Sequence, residues 1–184
     1  MSNRNQKTKT TTITQVALVS ALQCVVSPFA IVFPFSPVPV SFATLMLYLS
    51  VYILGKKKGV ISCLIYLLIG LVGLPVFSGF TGGLGKVLGP TGGYLTGYLF
   101  LVFVAGWSVE KWNSRIMQGI GMVLGTAVCY FYGSLWLVYQ AGMGLTEAFF
   151  TGVLPFVLGD IIKITVGVIV GSDMRKRLIK ADVI

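Results

Sequence analysis

The sequence contains no histidine. That removes the commonest metal ligand and the commonest proton shuttle near neutral pH. Acid is scarce as well: 5 Asp and Glu residues stand against 14 Lys and Arg in 184. Charge of either sign makes up 10% of the chain, where a soluble domain carries about 25%. Cys24, Cys63 and Cys129 are odd in number and far apart. They offer neither a disulfide framework nor the spacing of metal ligands, and read as small apolar fillers. With no metal set and no catalytic set in view, an enzyme is not expected.

What is present is apolar. Hydrophobic residues make up 55% of the chain. They lie in long runs rather than in alternation, which is the pattern of the membrane class. The opening "MSNRNQKTKTTT" is polar and basic. The run after it is too long for the apolar region of a secretory signal, so the start reads as a cytoplasmic tail. Six spans are predicted, at Ile13–Phe33, Val40–Leu54, Gly59–Phe77, Gly92–Trp107, Ile116–Tyr139 and Ala148–Gly171. A crossing helix takes about 20 residues, so the second and fourth either extend into their loops or mark an irregular bundle. No linker has room for a soluble domain, and no repeat of the inverted-transporter kind is visible. The expected architecture is all-α: an integral membrane bundle of six transmembrane helices in one domain, with residues 1–12 and 172–184 as cytoplasmic tails.

The net charge of +9 raises nucleic acid as a partner, and its placement argues against that. Arg4, Lys7 and Lys9 precede the first run, and Lys56, Lys57 and Lys58 separate the second from the third. Lys111 and Arg115 separate the fourth from the fifth, and Arg175, Lys176, Arg177 and Lys180 follow the last. These cations occupy alternate gaps, while the other gaps carry Lys86 alone. That is the positive-inside pattern, and it sets the basic face against anionic lipid. It predicts an even number of spans with both termini inside.

The stretch "SGFTGGLGKVLGPTGGYLTGY" at residues 78–98 invites a phosphate-binding reading that fails on spacing. Phe80 stands where a P-loop needs its first glycine, and Val87 replaces the hydroxyl that holds Mg²⁺. Leu88 stands where G-x-G-x-x-G needs its third glycine. On the positive-inside topology these glycines connect the third and fourth spans on the outer side. Glycine permits positive φ and close backbone approach, and irregular backbone is tolerated near a membrane where it lines a cavity. A binding loop or lid around Gly82, Gly83 and Tyr94 is one reading, and a plain flexible loop is the other.

Asp160 and Lys163, in "GDIIK", are the ionisable residues inside a predicted span. A charge at mid-membrane costs at least ~2.5–3.5 kcal/mol, so the pair needs a reason. Three residues of separation places both on one helical face, shared by Gly167 and Gly171. The stripe describes a polar pocket with a floor where another helix closes in. The alternative is an ion pair that glues the bundle, which desolvation makes weak glue. A channel would need polar groups below Lys163, where the face offers only glycine.

Glycine pairs at helical spacing, Gly93/Gly97, Gly121/Gly125 and Gly167/Gly171, suit close helix packing. In the first span Ala17, Ala21, Cys24 and Pro28 form a narrow stripe of small residues, with Gln15 and Gln23 on the other side. The stripe suits either a partner's helix or this chain's own.

Together, "GLPVFSGFTGGLGKVLGPTGGYLTGY", the proline-rich "PVPVSFATL", "GDIIK" and Ala17-x-x-x-Ala21 resemble the BioY family, the biotin-binding S-components of energy-coupling factor (ECF) vitamin transporters. The resemblance runs from Ala17 to Lys163. It implies a multi-pass protein of the prokaryotic cell membrane that binds biotin from outside as transported substrate, with no cofactor. It also implies docking, through Ala17 and Ala21, on a transmembrane T-component and two ATPase subunits. Biotin's ureido ring has two N–H donors and a carbonyl. Asp160 can accept from the donors and Lys163 can donate to the carbonyl; in the alternative pose Lys163 takes the carboxylate. Trp136, Tyr139 and Tyr94 are the expected apolar walls. One departure stands out: the family pattern P-V-T-x-Q reads Val40-Ser41-Phe42-Ala43 here, with Ala43 in place of the glutamine. Gln23 is the candidate replacement. An S-component for another vitamin and a self-contained channel remain the alternatives.

Overall fold

The computed structural model of the chain describes residues 2–31 and 39–181, with side chains from Thr10 onward. The side chains of Arg4, Lys7 and Lys9, the last two residues of the expected first span, and most of the "FPFSPVPV" loop lie outside those residues.

Helix α1 runs over Ser2–Val26. It stops short of the expected Phe33, because Pro28 has no N–H to continue the ladder and biases Ser27 away from helical angles. The chain then turns into a strand, β1 (Ala30–Ile31), which pairs antiparallel with β2 (Val40–Ser41). This two-stranded ribbon is a small addition to a chain that is otherwise mostly helical. It places Val40 and Ser41 outside the second span, with the Ser41 hydroxyl oxygen accepting from the Ala43 N–H at 3.2 Å.

Helix α2 covers Ala43–Leu71, with a non-helical Gly55 at φ 72°, ψ −172°. A Cβ built on Gly59 would lie 4.0 Å from the Val51 Cα, eight residues back, which no straight helix allows at ~1.5 Å rise per residue. The chain therefore reverses at Gly55. The expected second and third spans are the two arms of this hairpin, residues 43–54 and 56–71. Glu110 seals the bend by accepting the Lys56 N–H at 2.6 Å, a free donor at the start of the second arm.

A loop follows, closed on itself where Phe77 and Thr81 exchange backbone hydrogen bonds. It contains the short helix α3, Leu84–Leu88. Helix α4 spans Gly92–Lys111, four residues longer than expected, and α5 spans Arg115–Ala141. The expected sixth span is interrupted: α6 (Leu145–Gly152) and α7 (Leu154–Lys180) meet at Val153, where φ −126°, ψ −56° breaks the helix ahead of Pro155. Among the described residues α4, α5 and α7 are long and apolar enough to cross a membrane.

The core lies between the hairpin, α4 and α5, around Leu47, Tyr48, Val51, Tyr52, Leu101, Val102 and Met122. Glycine sets the spacing there. A Cβ on Gly125 would lie 2.9 Å from the Leu101 carbonyl oxygen, and one on Gly97 3.0 Å from Cys129 Sγ, so the backbones of α4 and α5 approach closely. On the other side α7 meets the first arm of α2.

Candidate functional site

The polar centre is assembled from three helices. Asp160, on α7, is 4% exposed. Its Oδ1 accepts from Lys163 Nζ at 3.0 Å, one turn along the same helix. The same oxygen accepts from Thr44 Oγ1 at 3.1 Å, at the first turn of α2. Oδ2 accepts from the Tyr130 hydroxyl of α5 at 2.5 Å. Lys163 Nζ also donates to Thr44 Oγ1 at 3.1 Å. Asp160, Lys163 and Thr44 thus form a closed triangle, and Tyr130 holds the carboxylate from the opposite side. A carboxylate offers about four acceptor positions and an ammonium three donors, so the bonds to Thr44, Tyr130 and each other leave one of each for a ligand.

A cavity opens beside this centre. Tyr94, Tyr98, Leu101, Cys129 and Phe156 supply apolar walls, Thr126 adds a hydroxyl, and Pro39, with Val40 and Ser41 of the ribbon, also lines it. The mixture of apolar rings with a few convergent polar groups is that of a small-molecule site. Thr126 is itself fixed, by Tyr48 at 2.6 Å and the Met122 carbonyl at 2.8 Å. Below the polar centre the space closes. A Cβ on Gly167 would meet Tyr48 Cβ at 3.1 Å and one on Gly171 would meet Tyr52 Cδ2 at 2.1 Å.

The other residues singled out in the sequence lie elsewhere, Tyr94 excepted. Gly82 packs against the preceding turn, where a Cβ would fall 2.2 Å from the Leu74 carbonyl oxygen. Gly83, at φ 90°, donates its N–H to the Gly70 carbonyl at 2.7 Å and starts α3. Neither lines the cavity. Trp136 donates Nε1–H to the Gly89 carbonyl at 2.9 Å, tying the end of the glycine loop to α5. Tyr139 is 84% exposed, away from the walls it was expected to form. Gln23 is fully buried, without a side-chain partner among the described residues, and does not line the cavity. Ala17 and Ala21 are exposed and line a shallow apolar groove with Ile13, Ile61 and Ile65. Lys86, in α3, has its ammonium pushed below the usual lysine range by partial burial.

Sequence reasoning missed Thr44 and Tyr130. Both are hydroxyls in apolar runs, and their separations of 116 and 30 residues from Asp160 hide them from any local motif. The usable signal was the need itself: a buried carboxylate must find donors on neighbouring helices.

The model of the BioY family matches residues 1–180. A probable biotin transporter BioY of Pyrococcus horikoshii is 35% identical over 163 residues, covering 89% of this chain and 95% of that protein. A biotin transporter BioY of Thermotoga maritima is 36% identical over 143 residues, covering 78% and 84%. Among solved structures, the S-component for biotin from an ECF-type ABC transporter superposes with a TM-score of 0.85 at 32% identity, covering 94% of this chain and 93% of that one.

Proposed function

The chain belongs to the BioY family, and we propose that it captures biotin from outside the cell and delivers it through an ATP-driven ECF module. The observation that carries this is the Asp160–Lys163–Thr44–Tyr130 centre beside a largely apolar cavity. Biotin's ureido group presents an N–H donor to the open acceptor position of Asp160 and its carbonyl to the remaining donor of Lys163. The fused rings and valeryl chain lie against Tyr94, Tyr98 and Phe156. Residues Gly82, Gly83, Gln23 and Trp136 act outside this first contact, through the loop and the packing that hold it, and Tyr139, exposed, has no part in it.

The protein sits in a prokaryotic cell membrane as a multi-pass bundle. Helix α1, the two arms of α2, and α4, α5 and α7 make six crossings; α6 and the ribbon lie at the outer end. An even count and the basic gaps at Lys56–Lys58, Lys111–Arg115 and Arg175–Lys180 put both termini in the cytoplasm. Ala17 and Ala21, exposed and small, are the docking contact for the T-component of a module that also carries two ATPases. The channel alternative loses ground to the closed floor at Gly167 and Gly171. The test is biotin accumulation by cells that lack other biotin uptake. Accumulation that requires both this chain and an ECF module supports the reading, and accumulation with this chain alone removes the module from it.

A further inference from the structure

A wide groove lies between α5 and α7, with about 1120 Å³ of empty space including its open side. The seam is loose there: a Cβ on Gly119 would find only Val168 nearby, at 3.6 Å. The walls are apolar except for Thr165 and one charge, Arg115, at the end on the basic face. From Arg115 to Leu124 the groove follows α5 for about 14 Å at ~1.5 Å per residue. That is close to one leaflet of a ~30 Å hydrocarbon core. A second opening shares Val123 and Ile161 with this groove and reaches Thr126, Tyr130 and Asp160. On the topology proposed above, the groove therefore starts at a cation at the membrane surface and ends, one leaflet deep, against the flank of the polar centre.

We propose that this groove seats one anionic phospholipid of the inner leaflet, with its phosphate at Arg115 and an acyl chain running up to Val123. Length and charge argue for it together. An apolar slot alone accepts any lipid, whereas a guanidinium at its interfacial end favours a headgroup of net negative charge, whose phosphate it can hold in a bidentate grip with no choline cation to offset it. Arg115 at present pairs with Asp173, both about half exposed, and such a pair is readily exchanged for another anion. Its neighbour Arg175 is engaged with the Tyr52 carbonyl at 3.0 Å, which leaves Arg115 as the cation at the slot.

The experiment is native mass spectrometry of the full chain in detergent, offered equal phosphatidylglycerol and phosphatidylcholine. One interfacial cation predicts about a fivefold preference for the anionic lipid, from ~1 kcal/mol per basic residue near a surface. Arg115→Gln should bring the preference close to one, Arg115→Lys should keep most of it, and Asp173→Asn should raise it. Gly119→Leu, or Ile120→Trp should that variant misfold, should lower retention of both lipids. Equal retention of the two lipids by the unmodified protein overturns the proposal. So does a preference unchanged in Arg115→Gln, which assigns it to the basic face at large, or retention unchanged in the filled-groove variant, which places the lipid elsewhere.

Discussion

Tyr130 and Lys163 grip the same carboxylate from opposite sides: the tyrosine hydroxyl donates to Asp160 Oδ2 at 2.5 Å, and the ammonium to Oδ1 at 3.0 Å. Lys163 is on Asp160's own helix, whereas Tyr130 is on α5. With Thr44 of α2 also donating to Oδ1, the carboxylate is positioned by the packing of three helices and not by one. Removing the tyrosine hydroxyl should loosen the site without removing its charge. A hydrogen bond to a charged group contributes about 1.5–3 kcal/mol. Tyr130→Phe should weaken biotin binding by roughly that amount and leave the helical circular dichroism unchanged. Wild-type affinity in this variant would mean that the ligand does not depend on the carboxylate's orientation.

The floor of the site makes a stability prediction. Gly171 is overlaid by the fully buried ring of Tyr52, 2.1 Å from where a Cβ would stand. Gly171→Val must push α7 away from α2. Overpacking of this kind costs typically ~1–3 kcal/mol, occasionally more. Thermal unfolding in detergent should show a lower midpoint, with a smaller loss for Gly167→Ala, whose Cβ would be 3.1 Å from its neighbour. Equal midpoints for all three proteins would show that the helices separate freely at this level.

Much of this was legible in the sequence, and the rest has identifiable physical causes. Apolar runs locate α4 and α5 to within a few residues, because length and hydropathy alone decide a crossing helix. The spacing of Asp160 and Lys163 places them on one face because both belong to one helix. The hairpin at Gly55 was not resolved as such: Lys56, Lys57 and Lys58 signal a gap, while the backbone folds back with one glycine at positive φ and almost no loop. The break at Val153 hides inside a continuous apolar run, and Pro155 was its sole marker. Thr44 and Tyr130 need the tertiary fold. Tyr139 looked like a wall residue because aromatic content near a span end suits both a pocket and an interface, and the helical phase of α5 turns it outward.

The glycine loop should respond to changes that its backbone cannot absorb. Gly82→Ala would drive a methyl into the Leu74 carbonyl, and Gly83→Val would place a β-branched residue at φ 90°, which such side chains rarely adopt. Both should shift the loop that Trp136 ties to α5, and biotin release should accelerate in stopped-flow displacement. Hydrogen exchange over residues 79–90 should slow when biotin is bound. Identical exchange with and without biotin would mean that the loop does not sense the ligand.

The exposed alanines make a prediction that separates binding from transport. Ala17→Trp or Ala21→Trp fills the groove lined by Ile13 and Ile61, while the polar centre lies on other helices. Small residues act by letting backbones approach, so a tryptophan should hold a partner helix off. Biotin binding by the purified variant should match wild type, and co-purification with the T-component should be lost. Lost binding with retained co-purification would place the stripe in the pocket.

The most direct test of the account is a calorimetric titration of the purified protein with biotin and a panel of other vitamins, repeated with Asp160→Asn and Lys163→Met. Truncating one partner of a buried, hydrogen-bonded charge pair costs about 2–5 kcal/mol. Biotin should bind in preference to the rest, and each variant should lose at least ~2 kcal/mol, roughly thirtyfold in Kd. Tighter binding of another vitamin would contradict the proposed substrate, and wild-type affinity in both variants would leave Asp160 and Lys163 as a structural ion pair.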